Sequence, residues 1–333
     1  MPPKAARCTF TRPSWKCFRH GWPRPIHDSH PPEADGGKSV LHAATEAIAA
    51  ACGVRCDPRS ATAVGGGSIH RAWCLRGEGA SFFVKTNVAE AAPMFAAEGA
   101  GLAALAATGC VAVPKVVTQG EAPGQSFLVL EWQDQAPLDR ASGALLGDAL
   151  AKMHASPGAE DFGWPTDNFI GATVQHNEPR RAWALFFAEC RLKPQLALAR
   201  QRGMEPKLVE RGLELAAKTP AFFVDYAPAS SLLHGDLWAG NAARLPDGRP
   251  VIFDPAVYRG DRETDLAMAE LFGGFPEAFY AAYRAAWPLD GGYETRKNLY
   301  NLYHVLNHYN LFGASYLGQA RRMIEKLLAE LRG

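Results

Sequence analysis

Apolar residues follow different spacings in the first and second parts of this chain. Short apolar runs bounded by turn residues predict strands at 72–75, 81–85, 113–119 and 126–132. Helical spacing predicts helices at 40–48, 93–100, 144–154, 183–198, 261–270, 294–312 and 321–328. Since a chain of 333 residues exceeds the usual size of a single core, two lobes are expected. The switch from strands to helices places the lobe boundary after residue 133, giving lobes of 39–133 and 134–333.

The most informative stretch is a polar loop, HGDLWAGN at residues 234–241. A strong turn signal, Pro-Asp-Gly at 246–248, follows it between two short apolar runs. A hairpin folded at the Asp-Gly step would bring the side chains of Asn241 and Asp254 together, with Asp236 on the loop just before it. The pattern therefore predicts a cluster of carboxylate and amide oxygens.

The composition and spacing of this cluster indicate phosphoryl transfer. Carboxylate and amide oxygens are ligands that Mg²⁺ prefers, and a further carboxylate can accept a proton. The intervals of 5 and 13 positions match the step from catalytic aspartate to metal asparagine to metal aspartate in protein-kinase-like enzymes. An alternative is a turn without chemistry, because Asp, Asn and Gly are common in turns. The agreement of turn and intervals favours Asp236 as catalytic base and Asn241 and Asp254 as Mg²⁺ ligands.

The first lobe contains a candidate nucleotide site. A glycine-rich turn can approach phosphates with its backbone N–H groups, and here it consists of Gly65, Gly66, Gly67 and Ser68. Lys85 ends an apolar run, where a buried ammonium needs a partner, and Glu98 on the next helix can provide it. A Lys–Glu pair at the α- and β-phosphates is the kinase arrangement. The alternative is a surface lysine and a solvated glutamate.

A hinge is predicted at the lobe boundary, where the last strand of the first lobe ends. Backbone groups of Glu131, Trp132 and Gln133 would contact the adenine of a nucleotide there. Residue identity alone does not test this prediction, because the contact uses the main chain.

Other residues have supporting or weaker predicted roles. Asp265 falls in the first turn of a helix, where its carboxylate could brace the backbone of the catalytic loop beside His234. The loop at 162–171 combines aromatic and polar side chains, including Asp167 and Asn168, and would suit a sugar. A packed loop explains the same residues equally well.

Potential metal ligands outside the polar loop are poorly supported. The seven cysteines are scattered, and Cys52 and Cys56 have no matching second pair, which favours reduced thiols in a cytoplasmic protein. His304 and His308 are one helical turn apart, but no carboxylate motif accompanies them. Packing in the core or in a groove is the favoured interpretation of this histidine pair.

Charge and hydropathy argue against two classes of partner for the body of the chain, while a nucleic-acid arm or an organellar address is an alternative interpretation of residues 1–38. The net charge is +1, and residues 1–30 hold a surplus of basic residues, so the remainder is close to neutral and gives no footprint for nucleic acid. No apolar run is long enough to cross a membrane. Residues 1–38 are rich in Pro and basic residues and are expected to be disordered or loosely attached, without the apolar region of a secretory signal.

Several motifs together resemble the fructosamine kinase (ketosamine-3-kinase) family, from about residue 39 to the end of the chain. The resemblance rests on HGDLWAGN at 234–241, FDP at 253–255, GDRE at 260–263, ELFGGF at 270–275 and NLYNLYH at 298–304. GWPTDNFIG at 163–171 also belongs to it. The Trp after the His-Gly-Asp loop and the ELFGGF segment separate it from aminoglycoside and choline kinases. The glycine-rich turn departs from the full Gly-x-Gly-x-x-Gly spacing.

The resemblance implies a fold and an activity. The fold would be protein-kinase-like and of the α+β class, with a small antiparallel-sheet N-lobe and a larger, mainly helical C-lobe. The activity would be ATP- and Mg²⁺-dependent phosphorylation of the sugar 3-hydroxyl of ketosamines, as small molecules or on glycated proteins, leading to deglycation. Trp238, Asp167 and Asn168 would bind the sugar. The alternatives are another small-molecule kinase of this fold and an inactive kinase-fold binding protein.

Overall fold

The computed structural model describes residues 36–65 and 69–331. The first lobe consists of α1 (Gly36–Cys52), β1 (Thr62–Val64), β2 (Arg71–Arg76), β3 (Ser81–Val88), α2 (Ala92–Ala107), β4 (Val116–Ala122) and β5 (Gln125–Glu131). Its sheet is antiparallel, with the strand order β1-β2-β3-β5-β4. Strand β1 was not predicted. Helix α1 begins at Gly36, inside the segment expected to be disordered, while residues 1–35 lie outside the described part of the chain.

The two helices of the first lobe cover opposite faces of this sheet. Alternate residues of a strand point to opposite faces, so Val84 packs with α1, whereas Phe83 packs towards α2. Lys85 and Asn87 share the face of Phe83. This alternation directs the predicted nucleotide lysine to the side of the sheet that carries Glu98 on α2.

The second lobe is mainly helical. Its helices are α3 (Arg140–His154), α4 (Trp183–Phe186), α5 (Lys193–Gln201), α6 (Pro206–Lys218), α7 (Glu263–Leu271), α8 (Glu277–Ala286), α9 (Tyr293–Phe312) and α10 (Leu317–Glu330). Its short strands form three antiparallel pairs: β6 (Asn168–Ile170) with β7 (Thr173–Gln175), β8 (Ser231–Leu233) with β11 (Tyr258–Gly260), and β9 (Ala242–Arg244) with β10 (Pro250–Ile252). The α+β class expected from the resemblance is confirmed.

Two local features of the helices depend on tertiary packing. Gly147 lets α3 lie directly against α8, because a Cβ at this position would come within 2.2 Å of the Phe279 carbonyl oxygen. The single helix predicted over 183–198 is instead divided by a π-helical turn, Phe187–Leu192. This turn contains the buried Arg191, whose guanidinium donates to Asn177 Oδ1 at 2.8 Å.

The two largest hydrophobic clusters lie mainly in the second lobe and surround the strands that flank the polar loop. Leu233 packs with the aromatic residues of α4 and α9, and Leu237 and Ile252 pack with α3 and α8. The first lobe also meets the hairpin, since Ile252 N–H donates to Ala112 O at 3.0 Å. Among the described residues, no helix is both long and apolar enough to span a membrane.

Candidate active site

The predicted hairpin is present, but its register differs from the prediction by one residue. Ala242 pairs with Ile252, and Phe253 N–H donates to Asn241 O at 3.0 Å. Asn241 therefore faces Phe253, not Asp254. Asp254 follows the paired residues with a φ of 56°, in the left-handed region that non-glycine residues rarely adopt. This turn of the backbone redirects the Asp254 carboxylate towards the first lobe.

The polar loop at residues 234–241, the predicted catalytic loop, is tightly folded around Gly235. Gly235 has a φ of 83°, and a Cβ there would lie 2.0 Å from the Ala256 carbonyl oxygen. The buried His234 imidazole contacts Phe253 O through Nε2 at 2.9 Å and Asp236 N–H through Nδ1 at 3.3 Å. Since the carbonyl only accepts and the N–H only donates, the ring is the neutral Nε2–H tautomer. Burial also lowers the pKa of His234, which favours this neutral form.

Asp265 holds the backbone of this loop. Its carboxylate accepts hydrogen bonds from His234 N–H at 2.7 Å and Gly235 N–H at 2.8 Å. His154, at the end of α3, contacts the same carboxylate at 3.1 Å and Tyr283 OH at 2.8 Å. Although burial acts in the opposite direction, these partners lower the pKa of Asp265. Sequence reasoning missed the role of His154, because 111 positions separate it from Asp265.

Asp236 lies beside Asn241 at the mouth of the loop. Burial, together with the negative charge of Asp254, raises the pKa of Asp236 to about 7. Asn241 Nδ2 donates to the Asp236 backbone carbonyl at 2.9 Å and lies 3.3 Å from Asp236 Oδ2. Because the carbonyl can only accept, the amide orientation is determined, and Asn241 Oδ1 is the atom that can bind a cation.

Lys85 joins the two lobes at this site. Its Nζ lies 2.7 Å from Glu98 Oε1 and 2.6 Å from Asp254 Oδ1. The Lys85 side chain is only 7% exposed, whereas that of Asp254 is 47% exposed. The structure thus brings together the predicted lysine, its predicted glutamate partner and one of the predicted metal ligands.

The charges in this cluster determine one another. Burial would lower the pKa of Lys85, but Asp254 and Glu98 outweigh it and raise that pKa. Burial raises the pKa of Glu98. At Asp254 burial also acts to raise the pKa, but the Lys85 ammonium outweighs it, and the pKa of Asp254 is lowered. Lys85 is therefore protonated and Asp254 is ionised at neutral pH.

The residues present fit a Mg²⁺–nucleotide group. Within 36–65 and 69–331, no set of three or more His, Cys, Asp or Glu residues has the arrangement of a metal site. Mg²⁺ commonly takes one or two protein carboxylates and completes its shell with water and substrate phosphates. The Asp254 carboxylate and Asn241 Oδ1 would fit such a partial shell, and the Lys85 ammonium lies 2.6 Å from Asp254 Oδ1.

The other predicted nucleotide contacts are the glycine-rich turn and the hinge, and the structure describes only part of the turn. Gly65 follows β1, whereas Gly66, Gly67 and Ser68 lie outside the described residues. At the predicted hinge, Trp132 N–H already donates to Ser81 O at 3.1 Å, and Gln133 Nε2 donates to Glu131 Oε1 at 2.9 Å. Because the Trp132 N–H is already bonded to Ser81 O, a main-chain contact between the adenine and residues 131–133 would have to use backbone groups other than this N–H.

The three predicted sugar-binding residues differ in their surroundings. Trp238 is half-buried, and its ring lies edge-on to Phe272, with centroids 6.5 Å apart. Asp167 is half-exposed and contacts His176 Nδ1 at 2.7 Å. Asn168 is buried, and its amide donates to Val257 O at 2.6 Å and accepts from Gln175 at 2.8 Å. We therefore interpret Asn168 as a residue that orders the chain after Asp254, not as a sugar contact.

The predicted helical histidine pair lies in packed surroundings. His304 and His308 are both buried on α9, and the ring of His308 lies 5.0 Å from that of Phe272. Burial lowers the pKa of His304 to about 3, so this ring is neutral at physiological pH.

The fold and the site define the class of the protein. A sheet lysine paired with a helix glutamate, a His-Gly-Asp loop, and an asparagine and an aspartate at the two ends of one hairpin form the phosphotransfer site of protein-kinase-like enzymes. The chain is a protein-kinase-like phosphotransferase.

Comparison with known proteins assigns the family. The model of the fructosamine kinase family matches residues 40–330. The chain is 48% identical over 268 residues to a probable ketoamine kinase from Synechocystis, covering 80% of this chain and 89% of that protein. It is 41% identical to the chloroplastic protein-ribulosamine 3-kinase of Arabidopsis thaliana, covering 81% and 82%. A crystal structure from Haemophilus somnus, assigned as a fructosamine-3-kinase, has a TM-score of 0.81 at 30% identity and covers 87% and 98%. The chain belongs to the fructosamine kinase family.

Proposed function

We propose that this protein transfers the γ-phosphoryl group of ATP to the sugar 3-hydroxyl of ketosamines, either free or attached to proteins. The observation that carries the proposal is the convergence of Asp236, Asn241, Asp254 and Lys85 on one site in a member of this family. An inactive binding protein would have no need to keep a base, a cation site and a phosphate-binding lysine together.

In the proposed mechanism, Asp236 orients the sugar 3-hydroxyl and accepts its proton. The hydroxyl oxygen forms a bond to the γ-phosphorus as the bond from that phosphorus to the β,γ-bridging oxygen breaks, and ADP leaves. Burial and the nearby Asp254 raise the pKa of Asp236, which favours its acceptance of a proton. Lys85, positioned by Glu98, would bind the α- and β-phosphates.

Asp254 and Asn241 Oδ1 are the groups that would hold Mg²⁺. The ion, when bound, supplies positive charge that offsets the negative charge of the β- and γ-phosphates. Asp265 holds the backbone of the catalytic loop through His234 N–H and Gly235 N–H, and in this mechanism it would position Asp236 and Asn241 for the reaction.

The product would be a ketosamine 3-phosphate, which in this family is unstable and releases the amine. We therefore propose deglycation of small molecules or proteins as the role of the reaction, in the cytoplasm. Trp238 and Asp167 are the side chains that we propose for sugar binding.

A substrate panel tests the proposal. Purified protein is incubated with ATP, Mg²⁺ and fructosyl-, ribulosyl- or erythrulosyl-lysine, and ADP release and the ³¹P NMR spectrum of the product are recorded. We expect a sugar 3-phosphate from at least one ketosamine, and no turnover after chelation of the metal. Turnover of an aminoglycoside or an amino alcohol, with none of any ketosamine, would contradict the proposal.

A further inference from the structure

His70 lies next to the face of the first-lobe sheet that carries Lys85, and it belongs to none of the motifs described above. Its imidazole contacts Asn87, which stands two residues after Lys85 on β3 and therefore points to the same face. The ring also lies against Phe95 of α2, with centroids 4.8 Å apart, one turn before Glu98. His70 is thus packed between the strand and the helix that supply the Lys85–Glu98 pair.

The orientation of the Asn87 amide follows from its partners at both ends. Its Oδ1 accepts from Val88 N–H at 2.8 Å, and its Nδ2 donates to Ile69 O at 3.2 Å. An N–H group can only donate and a carbonyl oxygen can only accept, so exchanging the two amide atoms would break both hydrogen bonds. The atom of Asn87 that faces His70 is therefore the nitrogen.

The tautomer of His70 follows from this orientation. Asn87 Nδ2 lies 2.8 Å from His70 Nδ1, and because this nitrogen donates, Nδ1 must accept and carry no proton. Burial, followed by the positive charge of Lys85, lowers the pKa of His70 to about 4, so the ring is neutral at physiological pH. In a neutral ring without a proton on Nδ1, the proton is on Nε2.

We propose that His70, held in this tautomer by Asn87, donates its Nε2–H to a phosphate oxygen of the bound nucleotide. The inference rests on the nucleotide part of the proposed function and adds a residue to it. A neutral donor suits this position, because it can bind a phosphate without competing with Lys85 for Asp254. Asn87 then acts as a positioning residue, since it also ties Ile69 to the strand.

Binding measurements on the intact protein test the proposal without requiring turnover. The dissociation constants of a non-hydrolysable ATP analogue, ADP and adenosine are measured by calorimetry for the wild type, His70→Phe and His70→Gln. His70→Phe keeps an aromatic ring against Phe95 but removes the donor, and it should weaken analogue binding by about 10-fold, the typical effect of one hydrogen bond to a charged group. Adenosine affinity should be unchanged, and His70→Gln, which restores a side-chain N–H, should recover most of the loss.

Two controls keep the outcome clear. His42→Phe alters an exposed histidine of α1 and should leave all three affinities unchanged. ¹⁵N NMR of the nucleotide-free wild type should show the His70 proton on Nε2, and Asn87→Asp should move it to Nδ1, because a carboxylate only accepts. Unchanged analogue affinity in His70→Phe, an equal loss for adenosine, or a wild-type proton on Nδ1 would overturn the proposal. None of these binding and NMR measurements uses a ketosamine. A protein that fails to phosphorylate ketosamines could therefore still confirm or contradict the role of His70.

Discussion

The two halves of the active site use charge in different ways. On the first-lobe side, the Lys85 ammonium contacts the carboxylates of both Glu98 and Asp254. On the second-lobe side, the Asp265 carboxylate accepts hydrogen bonds from backbone N–H groups of the catalytic loop. The first cluster can exchange partners when phosphates and a cation arrive, because Asp254 is half-exposed. The second is buried and keeps the loop in one conformation. Ligand affinity should therefore depend on the first half, and the order of the loop on the second.

Replacement of the proposed catalytic base should give the largest effect. Asp236→Asn keeps the size of the side chain but cannot accept the hydroxyl proton, so kcat should fall by about 10²–10⁴-fold. The affinity for ATP should change little, because Asp236 is not proposed to contact the nucleotide. Steady-state kinetics with the best ketosamine, together with calorimetric ATP binding, separates the two quantities. A near-normal kcat would remove Asp236 from the mechanism.

Loss of the buried brace should destabilise the protein itself. Asp265→Ala leaves His234 N–H and Gly235 N–H without their buried acceptor, and the free energy of unfolding should fall by about 3 kcal/mol. Chemical denaturation measures this change, and kcat should fall with it because the loop loses its order. Lys152→Ala, which breaks only the exposed pair with Asp148, is the control and should cost less than about 0.5 kcal/mol. Equal stability of the two variants would contradict the contrast between the halves.

The buried His304 predicts how stability depends on pH. Its pKa is about 3 in the folded state, and the ordinary value for histidine is 6.5. Between these values the unfolded chain binds more protons, so stability is lost as the pH falls from 6.5 towards 3. The contribution of this group should decrease by about 2 kcal/mol between pH 7 and pH 5. His304→Asn should flatten the pH dependence of the unfolding free energy by this amount, and an unchanged pH dependence in this variant would contradict the prediction.

The smallest of these effects is expected in the charge cluster. Glu98→Gln retains a hydrogen-bond acceptor for Lys85 but removes the charge, and the apparent affinity for ATP should fall by about 10-fold. The kcat at saturating ATP should stay within about threefold, because the catalytic loop is untouched. A large fall in kcat with unchanged ATP affinity would show that the two halves are not independent.

Local signals in the sequence accounted for much of the candidate site. The turn residues at 246–248 predict the hairpin, and the interval of 13 positions from Asn241 to Asp254 spans that turn. The apolar end of β3 predicts that Lys85 is buried and needs a partner. The hairpin and the burial of Lys85 can be predicted because each depends on residues that are close together in the sequence.

The roles of the polar residues at 163–171 depend on contacts that the sequence does not show. The pattern predicts a sugar contact for Asn168, whereas its buried amide hydrogen-bonds to Val257, 89 positions along the chain, and to Gln175, its partner across the β6–β7 hairpin. Polar residues that bind a ligand and polar residues that order a loop have the same composition. Only their partners distinguish the two roles.

The sequence by itself determined the family, the α+β class and the identity of the charged and amide groups at the site. Only the tertiary structure decided the one-residue offset that turns Asp254 towards Lys85, the pairing of His154 with Asp265, and the tautomer of His70. The physical reason is that residue type and turn preference are properties of a residue and its neighbours in the sequence. Register, burial and hydrogen-bond partners depend on segments that meet only when the chain folds.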